Sequence, residues 1–191
     1  MKSFFSQEFC LVLINLNISN ILNRCRAILM SIDKKKFIKV AQAHLTSIEH
    51  QLNKELAMLS NRSWHEATKF LLIEYDSSQF DSQFSVSLWA MDECGNSINS
   101  NTHDFLMDNT IAIPVEIYDY DNYANDEEWD EVDPWATAST LIEQWFAQQW
   151  NIHTLINFPA YIGHHDSYFK TELSNLVQID WDAILKRAQT R

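Results

Sequence analysis

Apolar residues recur at steps of three and four from Phe37 through Ala41, Leu45, Ile48, Leu52 and Leu56 to Leu59. That spacing predicts an amphipathic helix over residues 33–60, because i, i+3 and i+4 positions share one helix face. Lys34, Lys39, Glu49, Asn53 and Lys54 fall outside the stripe. The pattern then breaks at Asn61-Arg62-Ser63-Trp64, and the period changes. A run from Lys69 to Tyr75 reads as a strand. Phe84, Val86, Leu88 and Ala90 alternate with Ser85, Ser87, Trp89 and Met91, the period of two of a half-buried strand. The polar connector 76–82 joins these two into an antiparallel hairpin, and residues 92–96 (DECGN) form the next turn. A third strand is predicted from Thr110 to Tyr118, at an edge or with a bulge, because Pro114 has no amide hydrogen to give a ladder.

Asp133-Pro134 opens a helix to about Trp150, with Asp133 as cap and Pro134 in the first turn. Leu141, Ile142, Trp145, Phe146 and Gln149 mark its inner face. Residues 158–161 (FPAY) read as irregular. Asp166 is expected to cap a further helix that buries Phe169, Leu173, Leu176 and Val177. Asp180 caps a last short helix reaching Arg187. The order helix, strands, helices predicts an α+β fold: a small antiparallel sheet of three or four strands in a meander, with an N-terminal helix and C-terminal helices on one face.

At 191 residues with 46% hydrophobic and 13% aromatic content, the chain has material for one core. Residues 30–191 are read as one domain. Residues 1–29 are read as a peripheral helix or a non-native extension. The apolar segment 9–16 is too short to span a membrane, and Glu8 together with the absence of a small-residue cleavage site speaks against a secretory signal. The three cysteines, Cys10, Cys25 and Cys94, give neither a disulfide framework nor a zinc motif. The expected compartment is the cytoplasm, with no membrane partner. Only two glycines are present, Gly95 and Gly163, so phosphate-cradling loops and dinucleotide fingerprints are excluded.

Charge changes the picture most. Between Lys69 and Lys170 there is no lysine or arginine, while 18 of the 26 acidic residues fall there. A stretch so one-sided repels itself and gains little from salt bridges inside its own fold, which points to a positively charged partner outside it. A direct nucleic-acid partner is disfavoured, since phosphates must be met by cations. The acids concentrate between Glu116 and Asp133, interleaved with aromatic residues. The predicted partner-binding residues are Tyr118, Asp119, Tyr120, Asp121, Tyr123, Asp126, Glu127, Glu128, Trp129, Asp130 and Glu131. Tyrosine and tryptophan supply contact area there, and the carboxylates pair with a partner's Lys or Arg. A solvated loop with its rings tucked into the domain is the plain alternative.

No motif for catalysis, cofactor or metal survives inspection. Asp119-x-Asp121 begins like a calcium loop, but Tyr123, Ala124 and Asp130 stand where a ligand, a glycine and a glutamate are needed. His65-Glu66 lacks the second histidine of a zinc-protease helix. His164-His165-Asp166 is the one histidine cluster, and it reads first as a polar turn; both rings could reach one metal only on a loop. The sequence therefore predicts an acidic protein-binding module with no cofactor and no catalytic residues. Its most concrete form is an immunity-type inhibitor that occludes a basic toxin or nuclease. The alternatives are a nucleic-acid mimic that blocks a DNA-binding protein, a self-associating structural protein, or an unrecognised enzyme.

Overall fold

The computed structural model describes residues 34–77, 83–98, 102–107, 111–113 and 133–190. The chain divides into two compact units, Met1–Phe37 and Ile38–Arg191. In the first, residues 34–37 are described, and they belong to helix α1 (34–59). The second carries the rest of α1 and all the elements that follow. Strands β1 (Phe70–Ser77), β2 (Gln83–Met91), β3 (His103–Phe105) and β4 (Ile111–Ala112) precede helix α2 (Pro134–His153). Then come β5 (Ala160–His164), β6 (Phe169–Glu172), β7 (Val177–Asp180) and helix α3 (Trp181–Gln189). Among the described residues no helix is long and apolar enough to cross a membrane.

The α+β class holds, but the sheet is larger than a meander of three or four strands. It has seven strands in the order β3-β2-β1-β5-β6-β7, with β4 also paired to β2. It is mixed: β1 runs parallel to β5, and every other pair is antiparallel. The β1–β2 hairpin forms as predicted, with Phe70 opposite Met91 and Ser77 opposite Phe84.

Two corrections explain the difference. The stretch read as irregular around Ala160 and Tyr161 is the start of β5, a central strand. Only Ala160, Tyr161 and Ile162 are apolar there, between Pro159 and Gly163, too short a run for periodicity to register. The helix expected from Asp166 is instead the β6–β7 hairpin. Phe169, Leu176 and Val177 are about half exposed, and only Leu173 of that predicted set is buried. Their spacing imitates a helix, but β6 gains ladder partners on both sides, from Tyr161 and from Asp180. Of the strand expected at Thr110–Tyr118, the described part is β4 and Ile113; Pro114 and the residues after it lie outside the described residues. The short β3 gave no signal in the sequence.

Both faces of β1 are covered, so its run of apolar residues is continuous rather than alternating. Leu71, Ile73 and Tyr75 share one face with Phe84, Val86, Leu88 and Ala90 of β2 and with Ile162 of β5, and all of these are buried. Helix α2 lies over this face. Its Phe146 meets Phe105 of β3 edge to face at 5.2 Å, and its Glu143 bonds to Tyr75. Within the second unit α1 buries Ala41, Leu45, Ile48, Leu52, Leu56 and Leu59, the predicted stripe. Its Glu55 accepts the Leu106 amide at 3.1 Å, and His44 Nε2 accepts the Ala112 amide at 2.9 Å. Those bonds seat α1 beside the β3–β4 edge.

The opposite face carries Phe70, Leu72, Met91, Tyr161 and Ile179, packed against Ile184 and Ala188 of α3. Helices therefore cover both faces, not one. Asp133 caps α2 by accepting the Ala136 amide at 2.9 Å, and Asp180 caps α3 by accepting the Ala183 amide at 2.8 Å, as the sequence implied. Gly95 turns out of β2 at φ +80°, in the left-handed region that side chains avoid, beneath Trp181 and Leu185 of α3. A methyl group there would stand 2.8 Å from Leu185 Cδ2. We expect Gly95→Ala to cost about 1–3 kcal/mol, from backbone strain and forced repacking of α3. Urea unfolding monitored by tryptophan fluorescence measures it; an unchanged midpoint would show that α3 yields freely.

Candidate functional site

The predicted partner-binding residues, Tyr118 to Glu131, all lie outside the described residues. What is described is where the segment enters and leaves. Ile113, fully buried after β4, precedes it, and Asp133, the cap of α2, follows it.

Eight of the 18 acids in the cation-free run are described: Glu74, Asp76, Asp92, Glu93, Asp104, Asp133, Glu143 and Asp166. Seven of them have partners within the fold. Asp92 accepts the Cys94 and Asn96 amides, each at 2.8 Å, and Asp104 accepts the Ser87 hydroxyl at 2.6 Å. The Asn96 amide foremost holds the Asp92 carboxyl below its usual pKa. Glu93 stands exposed. The sequence predicts that the run gains little from salt bridges inside its own fold, and among the described acids in it only Glu74 meets a Lys or Arg. Six of the seven partnered acids are answered by hydroxyls, amides and imidazoles, and Glu74 by Lys170, which lies just beyond the run.

Two buried polar clusters sit on opposite faces of the β1–β5 pair. On the α2 face Glu143 reaches into the sheet. Its Oε1 accepts from the Tyr75 hydroxyl and its Oε2 from the Thr171 hydroxyl, both at 2.7 Å. Burial, with the Glu143 charge beside it, pushes the Tyr75 phenol well above its ordinary pKa. On the α3 face Lys170 is 3% exposed. Its ammonium donates to Glu74 Oε1 at 3.2 Å, to the His164 carbonyl at 2.6 Å and to the His165 carbonyl at 3.4 Å. Gly163 lies directly under this side chain; a Cβ there would stand 2.8 Å from Lys170 Cδ.

The carbonyls that Lys170 holds belong to the histidine cluster. The register places Tyr75 opposite His164, so the parallel strands β1 and β5 end side by side. Asp76 Oδ1 then lies 3.1 Å from His165 Nδ1 and 3.9 Å from His164 Nε2. His165 Nε2 meets Asp166 Oδ1 at 3.1 Å. His164 Nδ1 accepts the Asp166 amide at 3.3 Å, and its ring packs edge-on against Tyr75 at 5.8 Å. The predicted polar turn is therefore real, but it is drawn onto a carboxylate from 88 residues earlier in the chain. Asp76 carries no sequence mark of this, because only the β1–β5 ladder brings it there. Lys170 and Glu143 were missed for the same reason.

Beside the cluster is an open groove of about 450 Å³. Leu72, Met91 and Trp181 are among its apolar lining, and Glu74, Lys170, His165 and Asp166 among its polar lining. Chemically the site offers two imidazoles and two carboxylates at a strand end, with a buried ammonium already satisfied. No protein-family model matches the chain, and neither a curated protein nor a solved structure does.

Two measurements check the buried clusters. Tyr75 has its pKa raised on folding, so its contribution is complete below the ordinary tyrosine value of about 10 and is lost as pH climbs through the folded value. The unfolded chain ionises first. Between pH 10 and 11 the wild type should lose about 1 kcal/mol more stability than Tyr75→Phe. Parallel slopes for the two proteins would show that the phenol titrates normally. Lys170→Met should destabilise by about 1–3 kcal/mol, since it leaves Glu74 and two carbonyls without their donor. Glu74 is 25% exposed and water relieves part of that cost.

Proposed function

We propose that this chain is an acidic binding protein whose partner is a basic protein, most concretely an immunity-type inhibitor that covers the positive cleft of a toxin or nuclease. One observation carries the reading: from Phe70 to Phe169 the chain holds 18 acids and no lysine or arginine. The described acids sharpen it. Seven of the eight are engaged in capping, turn and sheet contacts, so the density of acids and rings at 116–131 has no counterpart among them. A cleft built to attract phosphate is positive, and a concentrated acidic patch speeds its encounter by roughly 10–10³-fold.

The described acids do not line up as a phosphate-like ribbon. Asp76 and Asp166 sit at one end of the β1–β2 ladder, and Asp92 and Glu93 follow its other end, roughly 20 Å away at a strand's rise per residue. Self-association through the tryptophans of α2 is disfavoured, since Trp145 and Trp150 are buried and the partly exposed Trp135 packs against Phe84 at 5.9 Å.

In this reading Trp129 is an anchor. Trp129→Ala should weaken partner binding by at least about 1 kcal/mol, roughly fivefold, while leaving the melting temperature in place. The partner is first captured from the native source at low salt and identified; it should be basic and should release as salt rises. Binding that is indifferent to Trp129→Ala and to Asp→Asn changes within 126–131 would overturn the reading. So would a melting temperature that falls together with affinity.

A further inference from the structure

We propose that Asp76, His164 and His165 form a site for one divalent transition-metal ion, bound by two imidazole nitrogens and a carboxylate oxygen, with an open coordination position toward the groove. The site is independent of the acidic segment and of the partner-binding reading.

Geometry comes first. One donor atom from each of the three residues lies within 4.8 Å of the others. Ligands at roughly 2.0–2.2 Å around a four-coordinate ion must stand about 3.3–3.6 Å apart. The Asp76 Oδ1 distances of 3.1 Å to His165 Nδ1 and 3.9 Å to His164 Nε2 bracket that range. The third side, between the two imidazoles, is at most 4.8 Å, so closing the triangle takes a shift of about 1 Å.

The surroundings hold the ligands in place. His165 uses Nδ1 toward Asp76, and its other nitrogen, Nε2, lies 3.1 Å from Asp166 Oδ1. A carboxylate behind the second imidazole nitrogen fixes ring orientation and raises ligand basicity. Lys170 pins the main chain of both histidines through their carbonyls, and the Tyr75 ring backs His164. One contact has to yield. A metal on His164 Nε2 places the imidazole proton on Nδ1, which then cannot accept the Asp166 amide now 3.3 Å away. That bond is long, and its loss is small beside two metal–nitrogen bonds.

The donor set selects the ion. Two imidazoles and one carboxylate suit Zn²⁺ and its neighbours, whereas Mg²⁺ and Ca²⁺ take oxygen ligands. Three protein ligands leave a position for water or another small ligand, as in catalytic rather than structural zinc sites. His165 and Asp76 are about half exposed and His165 lines the groove, so that position has access to solvent. Local charge helps: Asp76 and Asp166 are negative, and the neighbouring ammonium, Lys170, is already paired with Glu74.

The test is calorimetric titration of the full chain with Zn²⁺ in excess Mg²⁺, which occupies weak all-oxygen sites elsewhere. One ion per chain should bind, and Co²⁺ should give visible bands of a nitrogen–oxygen site without thiolate charge transfer. His164→Ala, His165→Ala and Asp76→Asn should each weaken binding by about 10–100-fold or more. His153→Ala should leave it unchanged. Asp166→Asn should weaken it less and keep the stoichiometry, as a positioning residue does. Circular dichroism of the metal-free variants checks folding. Should a variant unfold, perturbation of the His164 and His165 imidazole resonances in the wild type reads the same site. Zn²⁺ binding weaker than about 0.1 mM would overturn the proposal. So would stoichiometric binding that survives the His164→Ala/His165→Ala double variant, or a thiolate band abolished by Cys94→Ser.

Discussion

The parallel ladder between β1 and β5 is the contact on which the rest of this fold depends. It joins residues 89 apart, from Leu71 opposite Ala160 to Tyr75 opposite His164. Parallel strands cannot be linked by a tight turn, so the intervening chain must cross over the sheet, and α2 does so. Without this ladder the β1–β2 hairpin and the β5–β6–β7 hairpins would be separate pieces, each with an unpaired edge. With it, β1 is central and apolar on both faces, and the helices have two surfaces to cover.

The same ladder explains how a stretch without basic residues tolerates its acids. Glu143 descends from α2 onto one face, where Tyr75 and Thr171 supply two hydroxyl donors. Lys170 occupies the other face and answers Glu74. One buried charge, Lys170, and one partly buried charge, Glu143, are thus satisfied by hydrogen bonds on opposite sides of one pair of strands. Gly163 makes room for the Lys170 stem by having no side chain of its own. At the end of the ladder, Asp76 and two histidines meet because the register sets the ends of β1 and β5 side by side. The segment between β4 and α2 is where the chain concentrates charge and rings.

Much of the local structure was legible. The stripe from Ala41 to Leu59 needs only the helical period, and alternation from Phe84 to Ala90 needs only the strand period. Asp133 and Asp180 announce their helices because capping is a contact between residues three apart. The hairpin from Phe169 to Asp180 imitates a helix for an instructive reason. Phe169, Leu173 and Leu176 fall at helical spacing, yet two of the three face solvent, and the ladder to Tyr161 and Asp180 decides the outcome. Strand β5 was missed because three apolar residues are too few to carry a period.

The sequence alone determined the helix and strand of each strongly periodic segment, the caps, the lack of glycine-rich nucleotide loops and the extreme charge of the middle of the chain. These depend on near neighbours or on composition, and both can be read along a line. Only the tertiary structure decided that β1 lies beside β5, that helices cover both faces of the sheet, and that Asp76 joins His164 and His165. Those facts depend on which distant strands share a ladder and in what register. Long-range pairing is selected by the burial of whole faces at once, and no single stretch of sequence encodes it.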